Sequence, residues 1–169
     1  ITYIPTTIQF NDWITMSMIG LGTAESTTDT YQAVVWAIQD VGYRLIDTAS
    51  HKSYDNEDQI GRAIHHVMMM TDQQQKVETT YKTKKKDNTI NTAAIQREDI
   101  FVITKLWTDD HGFEDTIEAF EESFFEFGLD YIDLYLIHSP FGGNLVETWD
   151  AMLFLQQQKP LPPSSSSSS

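Results

Sequence analysis

The sequence predicts an α/β fold, an N-terminal β-hairpin followed by four β/α units around a parallel sheet. Three observations predict it. Short apolar runs recur along the chain, each run ends in a polar or glycine-containing group, and an amphipathic helical pattern follows each one. Strand then helix, four times over, implies parallel strands joined by right-handed crossovers.

Residues 7–10 and 14–18 flank Asn11-Asp12 as hairpin strands would, although Trp13 stands where a type I′ turn favours glycine. Met18-Ile19-Gly20-Leu21 is the first parallel strand and runs into Gly22-Thr23. The helix after it repeats Val34, Ala37, Ile38 and Val41, with Thr27, Thr28 or Asp29 as cap and Gly42 as stop. Tyr43-Arg44-Leu45-Ile46 leads to Asp47. Its helix sets Ile60, Ala63, Ile64 and Val67 behind Asp55-Asn56-Glu57-Asp58, acids suited to a helix N-terminus. Ile100-Phe101-Val102-Ile103 leads to Thr104-Lys105 and a helix carrying Ile117, Phe120, Phe124 and Phe127, stopped by Gly128. The last strand, residues 132–137, leads to His138 and a helix carrying Leu145, Val146, Trp149, Met152 and Leu153. Such short runs, rich in β-branched and aromatic residues, suit strands covered on both faces.

Two segments fall outside this rhythm. Residues 68–96 hold a methionine run, Gln73-Gln74-Gln75, several lysines and scattered Thr and Asn. That is long for a connection within a β/α unit, so a largely disordered insertion is expected. Residues 156–169 are a low-complexity Gln, Pro and Ser tail with nothing to pack. The folded unit is therefore expected over residues 1–155.

Composition narrows the function. Eleven basic against 25 acidic side chains leave a net charge of −14, which repels phosphate backbones and argues against a nucleic-acid partner. The lysines at 76, 82, 84, 85 and 86 crowd one stretch and read as a solvated run. With no cysteine, disulfides and thiolate metal sites are excluded. The start of the chain does not read as a signal peptide, and no apolar run approaches the roughly 20 residues of a membrane span. A cytoplasmic protein without a membrane partner is expected. His51, His65, His66 and His111 lack the spacing of a metal site, and no metal is expected.

In parallel β/α sheets, functional groups gather at the C-terminal strand ends. Here those ends carry Gly22-Thr23, Asp47, Lys105 and His138, with Tyr54 in the loop after the second strand. A tyrosine is a weak acid, with a free pKa of about 10, and a neighbouring ammonium favours its phenolate. Asp47 would hold Lys105, and His138 would orient a carbonyl oxygen. Together they suit protonation of an oxygen while hydride reaches its carbon. Gly20-Leu21-Gly22 lacks the third glycine of a dinucleotide fingerprint and supports only a tight strand-end turn.

Five ordered motifs resemble the aldo-keto reductases: MIGLGT at 18–23, GYRLIDTA at 42–49, YDNE at 54–57, ITKLW at 103–107 and LDYIDLYLIHSP at 129–140. The resemblance implies a (β/α)8 TIM-type barrel that reduces a small-molecule carbonyl, an aldehyde or ketone, with NADPH and no metal. It implies that Tyr54 is the general acid, that Lys105 and Asp47 tune it, and that His138 orients the substrate. Gly22, Thr23 and Asp47 would lie by the cofactor, and Trp107 would wall the substrate pocket. Departures accompany it. Asp47 and Tyr54 stand further apart than in the family, as if Lys52-Ser53 were inserted. Ser17, Trp13, Ala24 and Ser139 replace the family's usual proline, glycine, tryptophan and aromatic. Such barrels typically take about 250 residues, and the pattern here stops after the fourth helix. A partial barrel is implied, with open sheet edges suited to self-association.

Overall fold

The computed structural model describes residues 7–9, 14–24, 29–50, 54–82 and 94–158, with the backbone alone over 74–82. β1 (Thr7–Gln9) and β2 (Thr15–Ser17) pair antiparallel, with Ile8 opposite Met16. The turn between them, including Asn11, Asp12 and Trp13, lies outside the described residues. β3 (Leu21–Gly22), β4 (Leu45–Asp47), β5 (Phe101–Leu106) and β6 (Leu134–Ile137) form a four-stranded parallel sheet in chain order. The helices are α1 (Thr30–Trp36), continued by a π-turn over Ala37–Val41, then α2 (Glu57–Lys82), α3 (Phe113–Phe127) and α4 (Leu145–Gln157). This is the expected α/β architecture, a hairpin and four β/α units of a partial barrel.

The two-residue period of the strands sorts their side chains between two faces. Ile46 and Val102 point outward and join Val34, Ile38, Ile60, Ile64, Val67 and Phe127 in the main core between sheet and helices. Leu45, Phe101 and Ile103 point inward, with Met16 of the hairpin and Leu134 packed on them. At Gly20 an added Cβ would fall 2.6 Å from Leu45 Cγ, so the chain leaves the hairpin pressed against β4, and β3 starts only at Leu21.

Several sequence expectations shift for physical reasons. Val41 sits in the wider π-turn, which rotates it off the α1 stripe and leaves it exposed. The candidate cap is Asp29, since Thr27 and Thr28 lie outside the described residues. In α3 the buried face is Thr116, Ala119, Ser123 and Phe127, while Phe124 is exposed. Small side chains let this helix lie close to its neighbours, and Phe120 leans on Tyr135 of β6 at 5.2 Å between ring centroids. In α4 only Thr148 and Ala151 are buried; Leu145, Val146, Trp149 and Leu153 are exposed. Val146 and Trp149 are the most exposed of them, at 72% and 56%.

The expected disorder over 68–96 is corrected in its first part, where α2 continues to Lys82. No glycine or proline interrupts residues 62–82, and Met, Gln, Lys and Glu are strong helix formers. Thr71 Oγ1 accepts from the Ile95 backbone N–H at 3.0 Å, tying the returning chain to this extension. Residues 83–93 lie outside the described residues. The tail expectation moves slightly, because α4 extends to Gln157. The rest of the tail, 159–169, also lies outside them.

Two contacts seat α2. A Cβ at Gly61 would fall 1.9 Å from the Phe127 carbonyl oxygen, so the glycine is what lets α2 touch the end of α3. Helix propensity favours Gly61→Ala by about 1 kcal/mol, but a clash with backbone costs about 1–3 kcal/mol. The variant is expected to melt a few degrees lower, by circular dichroism.

At the start of the same helix, buried Glu57 accepts from the Thr104 hydroxyl at 2.6 Å. Desolvation raises its carboxyl above the ordinary 4.5, opposed in part by its hydroxyl partners. The folded state therefore binds this proton more tightly than the unfolded state. That contribution is full below about pH 4.5 and is lost as pH rises toward the folded value. Glu57→Gln keeps an acceptor for Thr104 and is expected to flatten this fall, measured as denaturation midpoint between about pH 4 and 8.

Candidate active site

Parallel pairing of β4 with β5 and of β5 with β6 brings Asp47, Lys105 and His138 to one face of the sheet. Asp47 pairs with Ile103, and Lys105, two residues on, pairs with Leu136. His138 follows β6 by one residue, and its N–H donates to the Leu106 carbonyl at 3.0 Å. Lys105 Nζ forms an ion pair with Asp47 Oδ1 and donates to the Thr48 carbonyl at 2.8 Å. Both partners keep some exposure, so the pair is open to solvent and to ligands.

Three rings gather around His138, past the ends of β5 and β6. Trp107 and His138 have centroids 4.6 Å apart with planes tilted by 57°. Tyr54 stands edge-on to His138, with centroids 6.4 Å apart. Asp55, next to Tyr54, takes a left-handed φ of 39°, unusual for a side chain other than glycine. It turns the chain sharply between Tyr54 and the start of α2. Lys52 and Ser53, the expected insertion, lie outside the described residues.

The rim is braced by residues that sequence reasoning had passed over. Asn56 is buried, donating to the Thr23 carbonyl at 3.0 Å and accepting from the Thr48 hydroxyl at 2.9 Å. Ser50 donates from its hydroxyl to the Lys105 carbonyl at 2.8 Å. Asn56 and Glu57 stand at the helix N-terminus as the sequence suggests, and both are also interior struts. Their signal lay in YDNE, where the polar residues following the tyrosine persist unbroken into α2.

Gly22 and Thr23 behave differently from one another. Gly22 pairs with Asp47 on the inner face, and nothing lies within 4 Å of where its Cβ would stand. Thr23 is buried, and both its N–H and its hydroxyl donate to the Asp47 carbonyl. Its side chain is spent on holding the Asp47 backbone.

A cavity of about 520 Å³ opens on the helix side of the rim. Ala49, Ser50 and Trp107 line it together with carboxylates from three segments, Asp55, Glu57 and Asp58, then Asp109 and Asp110, then Glu122 and Glu126. Burial and the neighbouring acids Asp109, Glu122 and Asp115 raise the Asp110 carboxyl above its ordinary value. This acidic recess would repel an anion, while on the inner side the Lys105 ammonium is balanced by the Asp47 carboxylate. Among the described residues no three His, Asp or Glu side chains are placed to share one metal ion, and no helix is long and apolar enough to cross a membrane.

Comparison with known proteins bears on the family and the fold. The model of the Aldo/keto reductase family matches residues 15–158. An aldo-keto reductase of Bombyx mori is 36% identical over 161 residues, covering 86% of this chain and 44% of that protein. One from Mycolicibacterium vanbaalenii is 38% identical over 156 residues, covering 91% of this chain and 46% of that protein. Among solved structures, a Bombyx mori aldo-keto reductase in complex with NADP superposes with a TM-score of 0.67 at 34% identity, covering 93% of this chain and 48% of that one. An aldo-keto reductase from a Medee basin deep-sea metagenome library superposes with a TM-score of 0.63 at 42% identity, covering 83% and 42%. The chain thus spans a little under half the length of the relatives it matches, as a partial barrel. By the family match over residues 15–158, the chain belongs to the aldo/keto reductase family.

Proposed function

We propose that this chain carries the proton-donating half of an NADPH-dependent reductase of aldehydes or ketones. The observation that supports it is the Asp47–Lys105 pair at the ends of β4 and β5, together with the Tyr54 and Trp107 rings around His138 just past β6. Bound NADPH would supply a hydride to the carbonyl carbon. The residues present fit its nicotinamide end, because the space over Gly22 is open and lies beside Asp47. His138 would hold the substrate oxygen by a hydrogen bond. The Tyr54 hydroxyl would give that oxygen its proton, completing the alcohol, and solvent would restore the phenol. Asp47 keeps the Lys105 ammonium aimed at the rim, where its charge supports the phenolate left behind. Trp107 would close the pocket beside the carbonyl.

NADPH fluorescence titrated with the protein is expected to shift and saturate, and no change up to millimolar protein would exclude the reading. Tyr54→Phe is expected to keep NADPH affinity while turnover of a simple aldehyde falls about 10²–10⁴-fold. Unchanged turnover would remove Tyr54 from its role.

A second reading, non-catalytic association, draws on α4. Leu145, Val146, Trp149, Leu153 and Phe154 are exposed together, and β3 and β6 end the sheet without a further strand among the described residues. A second copy suits this face, since two copies would bring eight parallel strands, matching relatives about twice as long. Charge opposes it, with −14 on each copy, so screening should strengthen association. Light scattering is expected to show a dimer growing with added salt; a monomer at all salt concentrations would remove this reading.

A further inference from the structure

The loops after β5 and β6 carry Trp107 and His138, and one buried side chain fastens them together. His111 is 4% exposed and lies between them. Its Nδ1 is 3.1 Å from the Gly143 carbonyl oxygen. A carbonyl only accepts, so Nδ1 is the nitrogen that carries hydrogen. Nε2 is buried with no protein partner, so the ring's polar tie to the opposite loop runs through Nδ1. At Gly142 the two loops are in direct contact. A Cβ there would fall 2.3 Å from His111 Nδ1 and 2.3 Å from the Thr108 carbonyl oxygen. One residue beyond His111, the Gly112 N–H donates to the Thr148 hydroxyl at 2.9 Å, joining α3 to the first turn of α4. Gly143 and Asn144 both take left-handed φ values, 78° and 47°, so this loop doubles back under the histidine.

We propose that His111 is a positioning residue: its Nδ1 bond to Gly143 holds the 139–144 loop onto the 108–112 segment and so sets Trp107 against His138. Nothing in the ring touches the proposed reacting atoms. Its effect passes through the Trp107–His138 contact at 4.6 Å, one wall of the carbonyl pocket. That the wall faces a carbonyl rests on the reductase reading; the clamp itself does not.

The test separates atoms rather than residues. Asparagine places an amide N–H near the Nδ1 position, whereas glutamine reaches toward Nε2. His111→Asn is therefore expected to resemble the parent protein. His111→Gln loses the bond, and Gly142→Ala pushes the loops apart from the opposite side. Both are expected to shift the Trp107 indole N–H and the His138 ring signals in nitrogen-edited NMR, with Trp107→Phe assigning the indole. In the same two variants the KM for a simple aldehyde is expected to rise about tenfold or more, with kcat less affected and NADPH affinity unchanged. Unmoved Trp107 and His138 signals in both variants would overturn the clamp, and so would equal damage in His111→Asn. If the parent protein shows no turnover, the reductase reading fails while the NMR comparison still decides the clamp.

Discussion

Parallel strands in register impose one constraint from which the rest follows: residues two apart share a face, and paired strands share it with each other. Asp47, Lys105 and His138 lie on or just past three strands, separated by 58 and 33 residues of chain, yet the register delivers them to one mouth. The alternate positions, Ile46, Val102 and Thr104, go to the helices. A slip of one residue in any pairing would send a catalytic candidate into the core and an aliphatic residue into the mouth. The Asp47–Lys105 pair is partly exposed, and such pairs contribute about 0–1 kcal/mol. Its value is in geometry, since it holds one ammonium at a defined place on the rim.

That geometry is protected by an uncharged layer beneath it. Thr23, Thr48, Asn56 and Ser50 tie the strand-end loops to one another through buried or half-buried hydrogen bonds. At the opposite end of the sheet Arg97 does a similar task. It is buried, bonds Asp133 at 2.7 Å and the Tyr131 carbonyl at 2.7 Å, and stacks on the Tyr131 ring. Asp133 in turn accepts the Val102 N–H at 2.9 Å, so a charged pair pins the start of β5 to the approach to β6. Breaking a buried pair by removing one partner typically costs about 3–5 kcal/mol. Both ends of the β5–β6 pairing are thus locked by polar contacts, and apolar packing fills the middle.

Electrostatics divides the rim. The helix side holds a crowd of carboxylates around one recess, and Tyr135 behind it has its phenol pushed upward by burial beside Glu57 and Asp110. The inner side holds Lys105. An anion would be repelled by the helix-side recess, whereas on the inner side the Lys105 ammonium stands balanced by Asp47.

Much of this was legible in the residue order. Alternating apolar runs and helical stripes announced four β/α units, because those periods are properties of the backbone itself. The strand-end residues Asp47, Lys105 and His138 could be chosen in advance, since polar groups that end buried strands have few places to go. Other features could not be read locally. Which α3 residues face inward depended on how closely α2 approaches, set by Gly61 against Phe127. The α4 stripe reads as core by its spacing and is exposed, because burial needs a neighbour and spacing cannot supply one. The methionine- and glutamine-rich continuation of α2 as far as Lys82 reads as disorder by composition and is helical, because nothing in it breaks a helix already begun. Sequence determined the element types and the residues offered to the rim. Tertiary structure decided which of them touch, because contact between distant segments depends on strand register and helix approach, and neither is a property of any local stretch of chain.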